Sequence, residues 1–312
     1  MPYLTTKWTK SLHISKKNCK FAANFDFINE FWKRTLSGAV YVAVVVSSIL
    51  LHPAFFGAVF AIISLLAVRE FYHLMKSPRP SRILAELAAV LLFLIAWMPV
   101  GLAETCYGFL MIVCVAAYCV SVLAGLIAEL WMKAEDPVRN WGNLLQSQVM
   151  IALPVALMSV LMFFDKYLLL AVFVLIWVND SGAYCVGSLT AKRPGGNHKM
   201  FPRVSPKKSW EGLFGGIALA VGVSALLAYC GWFDWLEKFS SLNVYLTAAL
   251  FAMVVAVFGT LGDLMESLLK RTIGVKDSGK FLPGHGGVLD RFDSILLAIP
   301  TTLLLVIIVS QC

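Results

Sequence analysis

Long apolar stretches, about nine of them and each of about 17 to 25 residues, constrain this chain more than any other feature of its sequence. A helix of that length crosses the roughly 30 Å hydrocarbon layer of a bilayer. It also satisfies its own backbone hydrogen bonds there. Because 59% of the 312 residues are hydrophobic and only 14% are charged, an ordinary soluble domain is excluded. The sequence predicts an all-α, polytopic integral membrane protein.

The predicted spans have boundaries that are approximate to several residues. They lie near 35–51, 54–73, 82–101, 105–130, 143–164, 167–189, 210–230, 244–268 and 291–310. Very short connections such as His52-Pro53 indicate antiparallel neighbours. Proline removes a backbone donor from a helix, so Pro154 and Pro300 predict local kinks inside their spans.

The distribution of positive charge predicts the orientation. All but two of the 26 Lys and Arg residues fall on the side that also carries the N-terminus, and the exceptions are Lys166 and Lys238. Short loops rich in Lys and Arg stay in the cytoplasm. The N-terminus is therefore predicted to be cytoplasmic, in a multi-pass protein of the cell inner membrane. This topology also accounts for the net charge of +8, so no nucleic acid partner is expected.

The predicted topology divides the chain into two parts. Residues 1–32 are basic and partly aromatic and lack the apolar core of a signal peptide, which predicts a cytoplasmic N-terminal extension. Residues 33–312 form the predicted membrane domain. Within it, the cytoplasmic loops 190–209 and 269–290 are long enough to handle a soluble substrate, so the active site is expected there.

The end of the eighth predicted span carries Asp263, Glu266, Ser267 and Lys270 at positions i, i+3, i+4 and i+7. This spacing places all four side chains on one helix face. Carboxylates at membrane depth are costly unless they are paired with a cation or bind a metal. The segment alone does not distinguish between a simple salt bridge to Lys270 and a functional site.

The glycine-rich turn 284–287 favours the functional interpretation. Glycines permit positive φ and close backbone approach, so the N–H groups of such a turn can form a concave anion-binding nest. Magnesium typically takes one or two carboxylates together with substrate phosphates, and Asp263 and Asp290 are candidates for that role. A purely structural loop is the alternative. The combination predicts metal-assisted phosphate chemistry.

Fourteen residues of the segment 267–293 have the spacing of a known signature. They are Ser267, Lys270, Arg271, Lys276, Asp277, Gly279, Leu282, Pro283, His285, Gly286, Gly287, Asp290, Arg291 and Asp293. This pattern resembles the signature of the phosphatidate cytidylyltransferases, the CDP-diacylglycerol synthases. The stretches 180–187 and 205–212 resemble a second characteristic region of that family, and the likeness runs from about residue 33 to the C-terminus.

The resemblance implies the reaction of CTP with phosphatidate to give CDP-diacylglycerol and pyrophosphate, in phospholipid biosynthesis and with Mg²⁺ as cofactor. It implies that Asp263 and Asp290 bind the metal. The residues expected to act in catalysis are Lys270, Arg271, Asp277 and His285, with His285 as a phosphate contact or loop organiser and not as a proton carrier. The residues expected to bind substrate are Asp180, Lys207, Lys208, Ser267, Lys276, Gly286, Gly287 and Arg291. The partners implied are the two substrates, membrane lipid and a second copy in a homodimer.

Three other functions are consistent with parts of the sequence. A CTP-dependent lipid kinase of the dolichol or phytol kinase kind would also combine a helical bundle with cytoplasmic CTP loops. The full signature favours the cytidylyltransferase. A transporter would show related halves and charges near the bilayer midplane, whereas here the charges gather at one face. A purely structural membrane protein would not need Asp180, Asp263, Glu266 and Asp290 together.

Overall fold

The computed structural model describes residues 35–102, 104–132, 135–279 and 286–311, with the backbone alone at 104–107. The predicted N-terminal extension, 1–32, lies outside these ranges. All statements below concern the described residues.

The described chain is almost entirely helical, with one small β-hairpin. The helices are α1 (Thr35–Leu50), α2 (Pro53–Met75), α3 (Arg79–Gly101), α4 (Glu104–Met132), α5 (Pro137–Ser147), α6 (Leu153–Phe164), α7 (Lys166–Thr190), α8 (Trp210–Tyr229), α9 (Asp234–Phe239), α10 (Val244–Thr272), α11 (Leu289–Phe292) and α12 (Ile295–Val309). The hairpin strands are β1 (Lys199–Phe201) and β2 (Ser205–Ser209). They pair antiparallel, with Phe201 opposite Ser205.

Eight segments of the described residues are long and apolar enough to cross a membrane. Two of them combine shorter helices: Pro137–Phe164 contains α5 and α6, and Leu289–Val309 contains α11 and α12. The first predicted span, 35–51, corresponds to α1, an apolar helix shorter than the other eight. The all-α, polytopic prediction is confirmed, and the predicted number of nine spans is approximate.

Two helices, α5 and α10, extend beyond the bounds predicted from the sequence. Helix α5 begins at Pro137, before the predicted 143–164 span, because the Asp136 side chain accepts a hydrogen bond from Arg139 N at 2.9 Å and caps the helix. Helix α10 continues to Thr272 and not to residue 268. Its last turn therefore carries site residues that the sequence assigns to a loop.

A π-helical turn, Gln148–Ala152, joins α5 to α6 just before Pro154, where the sequence predicts a kink. Proline cannot donate a backbone hydrogen bond, so the regular ladder is interrupted there. Leu153 N–H donates to Gln148 O, one residue further back than in an α-helix. The wider turn lets the span Pro137–Phe164 continue through the interruption.

The bundle is organised around two groups of packed helices. Helix α3 packs between α2 and α4, while α10 packs against α7, α8 and α12. Helices α7 and α8 approach so closely that a Cβ atom at Gly216 would lie 2.5 Å from Asn179 Oδ1. Small residues permit such close approach of membrane helices. This contact places the hairpin that precedes α8 beside the end of α7.

The predicted orientation can be tested at two lysines separated by α8. Single cysteines replacing Lys199 on β1 or Lys238 on α9, in a background without native cysteines, would be treated in intact cells with a membrane-impermeant maleimide. We expect labelling at position 238 and none at position 199, because the positive-inside rule puts the hairpin in the cytoplasm. Labelling of position 199 from outside would contradict the orientation.

Candidate active site

Four aspartates line one cavity of about 460 Å³ at the end of the bundle. They are Asp180 of α7, Asp263 of α10, Asp290 of α11, and Asp293, which follows α11. Its lining also includes apolar and aromatic side chains, those of Tyr41, Val42, Phe173, Ile176, Trp177 and Ile295. We call this space the aspartate cavity. It combines carboxylates with a surface suited to hydrocarbon.

A second cavity, of about 340 Å³, adjoins the first and shares Asp180 and Asp263 with it. Its wall includes Lys207 and Lys208 of β2, so we call it the hairpin cavity. The two predicted cytoplasmic loops thus contribute to adjoining spaces. The shared aspartates lie where the spaces meet.

Close packing of α10 on the start of α12 brings two of the aspartates together. A Cβ atom at Gly262 would lie 2.6 Å from Asp293 O and 3.0 Å from Ser294 O, so only glycine fits at this contact. The next residue along α10 is Asp263. The absence of a side chain at position 262 therefore sets the approach of Asp263 to Asp293.

Asp263 is held by groups from two elements. Lys208 Nζ lies 2.7 Å from Asp263 Oδ2, and Ser267 Oγ donates to Asp263 Oδ1 at 3.2 Å. Lys208 also donates to Thr260 O at 3.2 Å, which fixes the hairpin on α10. Asp263 and Ser267 share a helix face, as their spacing predicts. The hairpin lysine supplies the positive charge.

Lys270 lies buried between two carboxylates. Its Nζ atom is 2.7 Å from Glu266 Oε2 and 2.7 Å from Asp290 Oδ1. The salt bridge within α10 that the sequence left open is therefore present. The same lysine also joins α10 to α11, so the bridge is part of the site. The second Glu266 oxygen, Oε1, has no hydrogen-bond partner among the described groups.

Backbone N–H groups complete the surroundings of Asp290. Ser278 N donates to both carboxylate oxygens, at 3.1 and 2.9 Å, and Gly287 N donates to Asp290 Oδ2 at 2.8 Å. Gly286 adopts φ +83°, as expected for this turn. The turn does bind an anion, but for Gly287 that anion is a carboxylate of the protein. His285 lies outside the described residues.

Several predicted residues stand apart from the cavities. Arg271 donates to Val275 O at 3.2 Å. Lys276 and Asp277 are exposed and line neither cavity. Arg291, in contrast, lines the aspartate cavity.

Two acidic residues of this region have no role in the sequence-based assignment. Asp293 belongs to the signature, and its position three residues after Asp290 could have indicated a shared helix face. Glu70 of α2 accepts hydrogen bonds from Ser278, Val288 and Leu289. No local pattern around Glu70 marks this contact, because its partners lie more than 200 residues away in sequence.

The donor set fits a hard divalent cation. Aspartate oxygens are the ligands that Mg²⁺ prefers, and Mg²⁺ completes its octahedron with water and substrate phosphate. Among the described residues, no three His, Cys, Asp or Glu side chains are grouped so that they could hold a metal by themselves. A site of one or two aspartates completed by phosphate oxygens is consistent with both observations.

Removing the Lys270 charge should destabilise the protein strongly. We expect Lys270→Met to lower the free energy of unfolding by about 3–5 kcal/mol, because Glu266 and Asp290 would be left buried without their cation. Thermal unfolding in detergent micelles measures the loss. Adding Glu266→Gln should recover part of it.

Arg69→Met is the matched control, since Arg69 is about half exposed and its partner Glu86 keeps a second contact to Arg82. We expect a loss of about 1 kcal/mol or less there. If Lys270→Met and Arg69→Met lowered the free energy of unfolding equally, the larger cost expected at Lys270 would be contradicted.

Comparison with known proteins confirms the resemblance. Residues 32–309 match the cytidylyltransferase family. The phosphatidate cytidylyltransferase of Staphylococcus epidermidis is 43% identical over 144 residues, which cover 46% of this chain and 49% of the relative. That of Bacillus subtilis is 45% identical over 139 residues, 44% of this chain and 47% of the relative. The chain spans about half the length of the curated relatives it matches. Because the family match covers most of its length, this chain belongs to the cytidylyltransferase family.

Proposed function

We propose that this protein transfers the cytidylyl group of CTP to phosphatidate, giving CDP-diacylglycerol and pyrophosphate. The observation that carries the proposal is the meeting of the aspartate and hairpin cavities at Asp180 and Asp263. One cavity offers lysines and the other offers carboxylates and apolar side chains. The relatives are phosphatidate cytidylyltransferases, and the reaction that this name describes needs both.

The reaction brings two polyanions together and expels a third. A phosphatidate oxygen attacks the α-phosphorus of CTP, and the bond from that phosphorus to the bridging oxygen of pyrophosphate breaks. The attacking phosphate is already ionised near pH 7, so no general base is required. The protein's main task is to position the phosphates and to offset their charge.

The cofactor that we propose is Mg²⁺, held by Asp263 and Asp290. When bound, it polarises the α-phosphate and stabilises the departing pyrophosphate. Each of these aspartates already contacts a lysine, Lys208 or Lys270, at 2.7 Å. Lys208 also lines the hairpin cavity, where it would contact phosphate oxygens as negative charge develops. Lys270 lines neither cavity and holds Asp290 in place.

The lining of the two cavities supports a division of the substrates. Lys207 and Lys208 make the hairpin cavity suitable for the triphosphate of CTP. Val42, Phe173 and Ile295 make the aspartate cavity suitable for the glycerol and acyl portions of phosphatidate. The two phosphates that react would then meet near Asp180 and Asp263.

The charge distribution supports a multi-pass protein of the cell inner membrane whose site faces the cytoplasm, where CTP is available. The family resemblance supports a homodimer. Both statements belong to the proposal.

Labelled CTP distinguishes the proposed reaction from the lipid kinase. Purified protein would be incubated with phosphatidate and a polyprenol, with Mg²⁺, and with CTP labelled either on cytosine or on the γ-phosphate. We expect cytosine label in the lipid phase, because the whole cytidylyl group is transferred. Transfer of the γ label alone, to a polyprenol or similar alcohol, would contradict the proposal and favour the kinase.

Asp263→Asn and Asp290→Asn should each lower the rate of cytidylyl transfer by more than about 100-fold, because each removes a metal ligand. Loss of a residue that only supports a metal ligand usually lowers activity by less than that. Initial rates with labelled CTP measure the effect. Asp234→Asn on α9 is the control for the substitution itself and should keep near-normal activity. A purified, folded Asp263 or Asp290 variant with near-normal activity would remove that aspartate from the metal role.

A further inference from the structure

Glu70 of α2 connects two segments of the signature that flank residues 280–285. Its Oε2 atom accepts a hydrogen bond from Ser278 Oγ at 3.0 Å and another from Leu289 N at 2.9 Å. Its Oε1 atom accepts from Val288 N at 2.9 Å. One carboxylate of a distant helix therefore binds both ends of this part of the chain.

The contact has a clear physical basis. The first N–H groups of a helix have no carbonyl partner within that helix. Val288 N–H and Leu289 N–H lie at the start of the span Leu289–Val309, where a carboxylate is favoured by direct hydrogen bonds and by the helix dipole. Glu70 supplies that carboxylate from α2. It thus fixes the start of the span against a second transmembrane helix.

Ser278 links Glu70 to Asp290. Its hydroxyl donates to Glu70, and its backbone N–H donates to both oxygens of Asp290. Leu289, which Glu70 also binds, directly precedes Asp290 in the chain. Glu70 therefore holds Asp290 through Ser278 and Leu289 and not by a hydrogen bond between the two side chains.

Two glycines of the signature leave room for the Glu70 side chain. A Cβ atom at Gly279 would lie 2.7 Å from Glu70 Oε1, and one at Gly287 would lie 2.8 Å from Glu70 Cδ. Neither backbone position could carry a side chain without moving Glu70. The signature and α2 therefore fit together at this carboxylate.

We propose that Glu70 is a positioning residue for Asp290. It holds the backbone around Asp290 so that this carboxylate faces the aspartate cavity and can bind a divalent cation. The inference rests on the proposed function, in which Asp290 is a metal ligand. It identifies Glu70, a residue outside the signature, as one on which the position of Asp290 depends.

The test compares Glu70→Gln with Glu129→Gln. Glutamine keeps the size of Glu70 but turns an NH₂ group toward one of its N–H or O–H donors. Glu129 is a suitable control, because this buried carboxylate also accepts from a hydroxyl and an N–H group, those of Ser81 and Asn140. Those partners lie on α3 and α5 and line neither cavity.

Two readouts would be taken. Mn²⁺ binding to the purified protein, followed by electron paramagnetic resonance, should weaken by about 10- to 100-fold in Glu70→Gln and stay near the unaltered value in Glu129→Gln. Tryptic cleavage after the exposed Lys276 should become faster in Glu70→Gln alone, because the segment beyond it is less firmly held. Neither readout depends on cytidylyl transfer.

Ser278→Ala provides a milder variant, which removes a single hydrogen bond to Glu70. It should weaken Mn²⁺ binding less than Glu70→Gln does, and it should have little further effect when combined with Glu70→Gln, since both act through the same contact. Unchanged Mn²⁺ binding in Glu70→Gln, an equal loss in Glu129→Gln, or no Mn²⁺ binding by the unaltered protein would overturn the inference. Normal Mn²⁺ binding without cytidylyl transfer would instead overturn the proposed function alone.

Discussion

The contact of Lys270 with Glu266 and Asp290 is the constraint on which the rest of the site depends. Charges at membrane depth persist only when they are paired, and here one ammonium group pairs with two buried carboxylates. The bridge joins α10 to the start of the last span. It brings Asp290 to the same cavity as Asp263, which has its own lysine, Lys208. Each proposed metal ligand is thus held in place by a cation of the protein.

Hydropathy was sufficient to predict most of the fold, because a backbone in hydrocarbon must satisfy its own hydrogen bonds. The predicted and observed spans agree to within a few residues over most of their length. The larger differences arise where polarity and helix propensity disagree, as in the polar first turns of α5, which Asp136 caps. The hairpin and the π-helical turn could not be predicted from hydropathy, since both depend on short polar or proline-containing segments.

Residue spacing predicted only those contacts of the site that join residues close together in the sequence. Asp263 and Ser267 share a helix face and a hydrogen bond, as positions four residues apart should. The pairing of Lys208 with Asp263 joins residues 55 positions apart, and Glu70 binds a segment more than 200 positions away. Such contacts are set by the packing of whole helices and leave no periodic pattern. For that reason, no sequence pattern around Glu70 indicates its part in the site.

One N–H group of the glycine turn, that of Gly287, binds a carboxylate of the protein. The sequence predicts that the turn binds substrate phosphate through backbone N–H groups. In the structure, Gly287 N–H donates to Asp290, and Val288 N–H, just after the turn, donates to Glu70. These N–H groups therefore stabilise carboxylates of the protein. In the proposed reaction, Lys207 and Lys208, which line the hairpin cavity, would offset negative charge of the substrates that these two N–H groups do not meet. Glycine is still required at position 287, because a side chain there would displace Glu70.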